Sequence, residues 1–395
     1  MKRLPMVLLT TAVVAIAGCA STGALAGEVM TSGPSHANRA PSAPAGSPSH
    51  AGGSAAVGGR WRMPGVLKGK YQALAIAFPS RDTGITAILG YADQSTTLRS
   101  WIERTTDGGR HWAASRPAIG QYQPGAQAGM AFVSAQQGWA YLPGLFFTRD
   151  GGVIWRAERT PFPVTGPVAV AGTSTWVAAY ACIRGGCPAT IYTTGRVGGA
   201  LRRLPNQPPA TGSVVAMQRP TASVAWLLFA GPHGQSRLVT TSDAGRTWEV
   251  RPLPCPVSEQ AGQLSAAGPN PLWLICQGTP QAGAVPGVLY RTVDGARTWT
   301  RVARENSLGV HAVTNHVAWA VQSDASGSII VRTTDGGRTW HTALARANTD
   351  MEAFVPQGPN GAQVVARIFS ANGWRFAAYR TRNAGKTWQR TVLPT

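Results

Sequence analysis

The sequence predicts an all-β protein: a seven-bladed β-propeller with four-stranded blades, preceded by a signal peptide and a disordered tether. Three observations predict this fold. An eight-residue phrase occurs six times, its copies are evenly spaced, and each unit between copies contains four short strand-like runs. A turn that recurs about every 40 to 50 residues is typical of propellers and solenoids.

The spacing of the phrase gives the number of blades. Consecutive third residues of the phrase lie about 45 residues apart, but the interval from Asp150 to Asp243 is about twice as long. We therefore expect a seventh unit between these copies, whose turn near residues 194–199 has lost the phrase. The copies read TTDGGRHW at 105–112, TRDGGVIW at 148–155, TSDAGRTW at 241–248, TVDGARTW at 292–299, TTDGGRTW at 333–340 and TRNAGKTW at 381–388.

Each unit has the same order of strand-like runs. A short apolar run comes first, and a second run carries a Trp in most units, as in GWAYL, TWVAAY, AWLLF, LWLIC and AWAVQ. A third run ends at the Thr of the phrase, and a fourth begins at its Trp. Runs rich in β-branched and aromatic residues, interrupted by Gly, Pro and Asn, favour strands. Four such strands per unit make one propeller blade.

The residues of the phrase suit a tight turn. Thr and Asp side chains accept hydrogen bonds from nearby backbone N–H groups, and the Gly at the fifth position permits a positive φ. We expect the Trp at the eighth position and the Trp of the second strand to be core residues. The third position is therefore assigned a structural role in all six copies, at Asp107, Asp150, Asp243, Asp294, Asp335 and Asn383.

The phrase resembles the Asp-box, or BNR, repeat, and the longer frame of apolar strand, G-W-A and T-x-D-G-G-x-T-W is most similar to exported propellers of the photosystem II assembly-factor type. The resemblance covers about residues 66–391, and more distantly extends to the sialidase superfamily. Ala296 and Asn383 depart from the repeat. The resemblance implies a turn between the third and fourth strands, away from the usual binding end, and a role as an assembly or binding platform.

The N-terminal 60 residues predict export and anchoring. Lys2 and Arg3 precede a short apolar run that ends in Ile-Ala-Gly-Cys, which resembles a bacterial lipobox with Cys19 as the lipidated residue. The alternative is an ordinary signal peptide cut after Ala26. We expect a lipoprotein signal peptide over 1–18, a disordered Ser/Pro/Gly/Ala tether over 19–59 and the propeller over 60–395, held at the outer face of the bacterial cell membrane.

The four cysteines beyond Cys19 predict disulfides, because an even number of cysteines in an exported chain favours pairing. Cys182 with Cys187 is the natural local pair, and Cys255 with Cys276 would join the end of blade 4 to the second strand of blade 5. Three pairings remain open from the sequence. No metal site is predicted, because the cysteines lack the close repeated spacing of a zinc site.

The charge predicts attraction to polyanions. The chain carries 36 basic and 16 acidic residues, a net charge of +20, so its surface should attract acidic headgroups or envelope polymers. Export and the absence of a recognition motif argue against nucleic acid. The sixth position of the phrase predicts a basic rim, the residues Arg110, Arg246, Arg297, Arg338 and Lys386. We expect the Arg residues directly before the phrase, at 104, 291, 332 and 380, on the same edge of the propeller as this basic rim.

The main alternative is a sialidase-like glycosidase. Such an enzyme needs an arginine cluster and paired carboxylates; Trp-Arg-Met-Pro at 61–64 is similar to a sialidase motif and would supply Arg62, with Asp82 as the acid. The spacing singles out no Tyr–Glu pair, and five of the 16 acidic residues are phrase aspartates. His311 and His316 are expected to be solvent-exposed. We therefore predict a non-catalytic monomer without cofactor that binds at the envelope, with a membrane protein complex as a further partner.

Overall fold

The computed structural model describes residues 11–12, 66–80, 82–92, 98–115, 128–142, 144–160, 166–180, 188–230, 235–256, 259–278, 287–303, 307–324, 327–370 and 373–392. Its regular structure consists of β-strands arranged in seven sheets. In these ranges no helix has the length and apolar character needed to cross a membrane. The predicted lipidation site Cys19 and the loop cysteines Cys182 and Cys187 fall outside the described residues.

Each of the seven sheets is one blade with four consecutive antiparallel strands. Blades 1 to 3 comprise β2 (Val66–Ala77), β3 (Gly84–Ala92), β4 (Leu98–Thr105) and β5 (Ala113–Ala114); β6 (Gly129–Phe132), β7 (Gly138–Leu142), β8 (Gly144–Thr148) and β9 (Arg156–Ala157); and β10 (Val168–Ala171), β11 (Ser174–Tyr180), β12 (Ala189–Thr194) and β13 (Arg202–Arg203). A further short strand, β1 (Thr11–Ala12), pairs with β6.

The remaining four blades follow the same plan. They comprise β14 (Ser213–Gln218), β15 (Ala225–Ala230), β16 (Ser236–Thr241) and β17 (Glu249–Arg251); β18 (Gln260–Ala266), β19 (Leu272–Gln277), β20 (Gly287–Thr292) and β21 (Thr300–Ala303); β22 (Ser307–Ala312), β23 (Ala318–Asp324), β24 (Gly327–Thr333) and β25 (His341–Ala345); and β26 (Thr349–Pro356), β27 (Ala362–Ser370), β28 (Gly373–Thr381) and β29 (Gln389–Val392).

The seven-bladed prediction is confirmed, including the blade that lost the phrase. Blade 3 keeps four strands, and its third strand β12 ends at Thr194, where the missing copy was expected. The first strands of neighbouring blades adjoin, so they form the inner wall of the ring. Blade 1 is built only from β2–β5 and blade 7 only from β26–β29. Among the described residues, the ring therefore closes by contact between whole blades, and no strand is exchanged between blades 1 and 7.

The core lies between neighbouring blades. The second-strand Trp residues are at most 3% exposed, which confirms their predicted core position: Trp139, Trp176, Trp226, Trp273 and Trp319. Trp319 of blade 6, for example, packs in one cluster with Met351 and Phe354 of blade 7. In blades 7 and 1 the equivalent positions hold Gln363 and Ile85, both of which are buried.

One predicted disulfide lies within the described residues. Cys255 bonds Cys276, joining the segment after β17 of blade 4 to β19 of blade 5, as the sequence suggested. The prediction that His311 is exposed is wrong. Its side chain is buried, and its ring lies 5.2 Å from that of Phe354 in blade 7, because β22 belongs to the inner wall of the ring. His316, in the turn after β22, is exposed as predicted.

Candidate functional site

The repeated phrase forms the turn between the third and fourth strands of six blades; we call these segments the phrase turns. In blade 6, Thr333 Oγ1 donates to Asp335 Oδ1 at 2.8 Å and accepts the backbone N–H of Gly337 at 2.9 Å. Asp335 Oδ1 also accepts the backbone N–H of Thr339 at 2.9 Å. Both side chains thus satisfy backbone donors that the tight turn leaves unpaired, which is the predicted structural role.

These hydrogen bonds stabilise the ionised carboxylates. The Thr247 hydroxyl and backbone N–H lower the pKa of Asp243 to about 2. Burial would raise the pKa of Asp107, but hydrogen bonds from His111, Thr105 and Arg110 outweigh it and lower that pKa to about 2. The pKa values of Asp294 and Asp335 are lowered by the same contacts from Thr298 and Thr339. A carboxylate held in this way is a poor proton donor for catalysis.

The backbone of the turn differs from the prediction at one position. Positive φ occurs at the fourth residue of the phrase as well as the fifth, so Ala244 has φ 62° and Ala384 has φ 61°. The fifth residue also approaches the preceding blade: a Cβ on Gly245 would lie 2.7 Å from Leu204, and one on Gly337 would lie 3.0 Å from Trp273. Glycine therefore serves two purposes here, left-handed backbone and close contact between blades.

In blades 4 to 7, the Trp that closes the phrase donates a hydrogen bond towards the preceding blade. The indole Nε1–H of Trp388 in blade 7 donates to Ala343 O of blade 6 at 2.7 Å, and Trp248 in blade 4 donates to Asn206 O at 3.0 Å, just after blade 3. Trp299 and Trp340 make the same contact with blades 4 and 5. Most of these rings are half-buried rather than fully buried core residues as predicted, because they lie at the outer edge of the blade.

The Arg residues directly before the phrase lie beside the phrase turns, at the ends of the third strands, and Arg332 and Arg104 link blades in the opposite direction. Arg332 Nε of blade 6 donates to Pro359 O of blade 7 at 3.2 Å, and Arg104 Nε of blade 1 donates to Gly151 O of blade 2 at 2.7 Å. The Arg332 guanidinium also lies 5.4 Å from the ring centre of Trp319. Stacking on Trp and bonding to the next blade hold these side chains inward.

Blade 3 uses different residues for the same contacts. Arg219 of blade 4 places its guanidinium 4.3 Å from the ring centre of Trp176 and donates to Ser174 O at 3.1 Å. Burial at this contact lowers the pKa of Arg219 to about 10. Arg149 of blade 2 donates to Val197 O in the turn of blade 3 at 2.9 Å. Arg219 lies outside the phrase and Arg149 occupies its variable second position, so the sequence analysis identified neither residue.

The predicted basic rim is exposed. All five side chains lie in phrase turns and therefore at the same end of their blades: Arg110, Arg246, Arg297, Arg338 and Lys386. Each shares its turn with an Asp or an Asn. The rim therefore alternates positive charge with carboxylate in four of its five turns, and its net charge is smaller than its arginines suggest.

Of the two residues on which the sialidase alternative relies, Arg62 and Asp82, the structure describes only Asp82. Arg62 lies outside the described residues. Asp82 lies in the turn between β2 and β3, at the same end as the phrase turns, where its Oδ1 is 3.2 Å from Arg380 Nη2 of blade 7. Other carboxylates also pair with arginine: Asp350 lies 3.1 Å from Arg367, and Glu249 contacts Arg251. In the described ranges, no three His, Cys, Asp or Glu side chains converge as metal ligands do.

The fold defines the protein as a seven-bladed β-propeller. No family model and no curated protein sequence matches the chain. Among solved structures, it is similar to YCF48 bound to D1 peptide, with TM-score 0.54, 15% identity and coverage of 84% of this chain and 96% of that one.

Two further propellers have a similar fold. YCF48 from Cyanidioschyzon merolae matches with TM-score 0.52 and 14% identity over 81% of this chain and 98% of that one. An ancestral GH74 enzyme matches with TM-score 0.52 and 9% identity over 83% of this chain, but only 47% of that chain is covered. At these identities the likeness establishes the propeller fold alone.

Proposed function

We propose that the protein is a non-catalytic scaffold of the bacterial cell envelope, whose propeller binds a segment of a membrane protein. The main support for this proposal is that the repeated polar residues of the propeller have structural roles. The phrase aspartates accept backbone N–H groups within their own turns, while Asp82 pairs with the guanidinium of Arg380. These groups hold a ring together, and a rigid ring of loops is a surface for binding.

The fold likeness supports a peptide as the kind of partner. A propeller of similar fold has been solved with a D1 peptide bound. Propellers offer two ends for binding, and the phrase turns occupy one of them. The second strands end and the third strands begin at the other end. The most individual sequences of the chain, 181–187 and 278–286, connect a second strand to a third strand, although 181–187 and 279–286 are outside the described residues. We assign partner binding to that end.

Anchoring completes the proposal. Lipidation of Cys19 would fix the chain to the outer face of the membrane, and the tether over 19–59 would separate the ring from it. A flexible tether of about 40 residues has an average reach of roughly 35 Å. This places the ring within reach of the external loops and termini of membrane proteins.

Site-specific photo-crosslinking in membranes tests the proposal. A photoreactive residue at Gln277 or Arg237 reports on the second-to-third-strand end, and the same residue at Arg338 or Arg246 reports on the phrase-turn end. We expect one membrane protein to crosslink from the first pair and not from the second. A synthetic peptide of the crosslinked segment should compete. Crosslinks from the phrase-turn pair alone, or none to a membrane protein, would contradict the assignment.

The second candidate is a glycosidase, favoured by the fold likeness to a GH74 enzyme and by the motif that contains Arg62. Hydrolysis of a fluorogenic sialoside that is abolished by Arg62→Ala would establish it. Asp82→Asn should abolish hydrolysis as well if Asp82 is the acid, whereas its contact with Arg380 alone predicts only a loss of stability. Under the scaffold proposal, neither the wild-type protein nor either variant hydrolyses the sialoside.

A further inference from the structure

The blade that lost the phrase lies in a part of the chain without acidic residues. No Asp or Glu occurs between Glu158 and Asp243, a stretch that contains all of blade 3 and most of blade 4. Arg196 occupies the turn position where five other blades have Asp and blade 7 has Asn383. Strand β13 consists of Arg202 and Arg203, both exposed. The positive charge of this blade is therefore not offset locally, in contrast to that of the basic rim.

The neighbouring turn of blade 2 has an unusual apolar tip. Val153 and Ile154 are 47% and 45% exposed, at positions where the other copies carry a basic residue followed by Thr or His. Asp150 Oδ1 accepts the backbone N–H groups of both residues, each at 3.0 Å. The turn thus holds two apolar side chains at the surface on a fixed backbone.

The two features are adjacent in the ring. Arg149 of blade 2 donates to Val197 O at 2.9 Å and to Gly198 O at 3.3 Å, both in the turn that contains Arg196. A Cβ on Gly198 would lie 2.5 Å from the ring of Phe147, so the turns of blades 2 and 3 are in close contact. We call the combined surface the docking sector; it comprises Val153, Ile154, Arg196, Arg202 and Arg203.

We propose that the docking sector binds the surface of an anionic lipid bilayer. The exposed arginines of a blade that contains no acidic residue attract lipid phosphates. Exposed apolar side chains in the adjacent turn can enter the boundary between headgroups and acyl chains. A soluble polyanion would use the arginines but would gain nothing from Val153 and Ile154, which is why a bilayer fits better. This inference does not depend on the peptide partner, since it concerns a different surface and a different ligand.

Vesicle binding by the unlipidated chain from Ala20 onwards tests the proposal, because β2–β29 form the whole ring. We expect binding to vesicles that contain phosphatidylglycerol and little binding to phosphatidylcholine alone. Reversing the charge of Arg196, Arg202 and Arg203 to Glu should weaken binding by about tenfold or more. The matched control reverses Arg110, Arg297 and Arg338, with the same change in net charge, and should weaken it by no more than about threefold.

A second variant separates a bilayer from a soluble polyanion. Val153→Ser/Ile154→Ser leaves the net charge unchanged and should weaken vesicle binding about fivefold, with the larger relative loss at high salt. Thermal unfolding of each variant identifies any loss of fold. If a triple Arg→Glu variant does not fold, the corresponding Arg→Gln variant replaces it. Three results would overturn the proposal: equal losses in both triple variants, no effect of the apolar pair, or soluble polyphosphate binding as tight as vesicle binding.

Discussion

Two junctions between blades are held together by different kinds of contact: the junction of blades 6 and 7, and the junction of blades 7 and 1 that closes the ring. Between blades 6 and 7, Arg332 stacks on Trp319, and Trp319 lies 6.5 Å from Trp388 in an edge-on arrangement. Trp388 then donates to Ala343 O of blade 6. Aromatic burial and hydrogen bonds to backbone carbonyls therefore hold this junction.

The closing junction has lost each of these aromatic links. Gln363 of blade 7 stands where blade 6 has Trp319, and Trp112 of blade 1 donates to Gly109 O of its own turn, at 3.2 Å. In their place, Arg380 reaches Asp82 of blade 1 at 3.2 Å, and Gln357 Nε2 donates to Ser80 O at 3.3 Å. Polar and charged groups thus contribute these contacts at the junction where the first and last blades meet.

Matched substitutions at the second-strand position give the largest expected effect. Trp319→Ala should lower the free energy of unfolding by about 3–5 kcal/mol, because it opens a cavity in a fully buried site. Gln363→Ala, at the equivalent position, should cost only about 1 kcal/mol. Chemical denaturation measures both. Equal losses would show that the closing junction is as well packed as the others.

The disulfide gives the next largest effect. Cys255 and Cys276 are 21 residues apart, and a crosslink closing a loop of this size stabilises a protein by about 3 kcal/mol. Cys255→Ser/Cys276→Ser should lower stability by that amount, and reduction of the wild-type bond should reproduce the loss. A change below about 1 kcal/mol would mean that the junction of blades 4 and 5 is rigid without its covalent link.

The ion pair at the closing junction should show a smaller, salt-dependent effect. The Asp82 side chain is 56% exposed, so Asp82→Asn should cost at most about 1 kcal/mol at low ionic strength. The loss should shrink in high salt because the pair is screened. Arg332→Gln, which breaks a bond to a carbonyl instead, is the control and should lose the same stability at both salt concentrations. A salt-independent loss in Asp82→Asn would contradict an electrostatic seal.

Acidification should destabilise the phrase turns that carry Asp more than the phrase turn of blade 7. This is the smallest of the four effects expected here. The native pKa of Asp243 is about 2, below its unfolded value of 3.8. Its contribution is therefore present above pH 3.8 and is lost as pH falls towards 2. Blade 7 has Asn383, which does not titrate. Hydrogen exchange should accelerate in the blade 4 turn across this range more than in the blade 7 turn; identical acceleration would argue against the carboxylate.

The sequence predicted the blades better than the contacts between them. A turn such as TTDGGRTW at 333–340 fixes where two strands end and begin, so the blade count and the position of the degenerate blade followed from spacing. The Cys255–Cys276 pair was one of three pairings that the sequence left open, favoured because Cys182 and Cys187 are natural local partners. Arg380 and Asp82, however, are separated by 298 residues, and no local pattern encodes a contact over that distance. The acid-free stretch around blade 3 was readable in the sequence, but only the structure brings it next to Val153 and Ile154.

The strand order also bears on how such a chain can change in length. The four strands β2–β5, β6–β9 and so on of every blade are consecutive, and the seam falls between blades 7 and 1 rather than inside a blade. Duplication or deletion of one repeat would therefore add or remove a complete blade and leave each remaining sheet intact. For the same reason, the propeller should tolerate circular permutation. New chain ends could be placed at any other junction between blades, provided that a new linker connects Val392 to Val66.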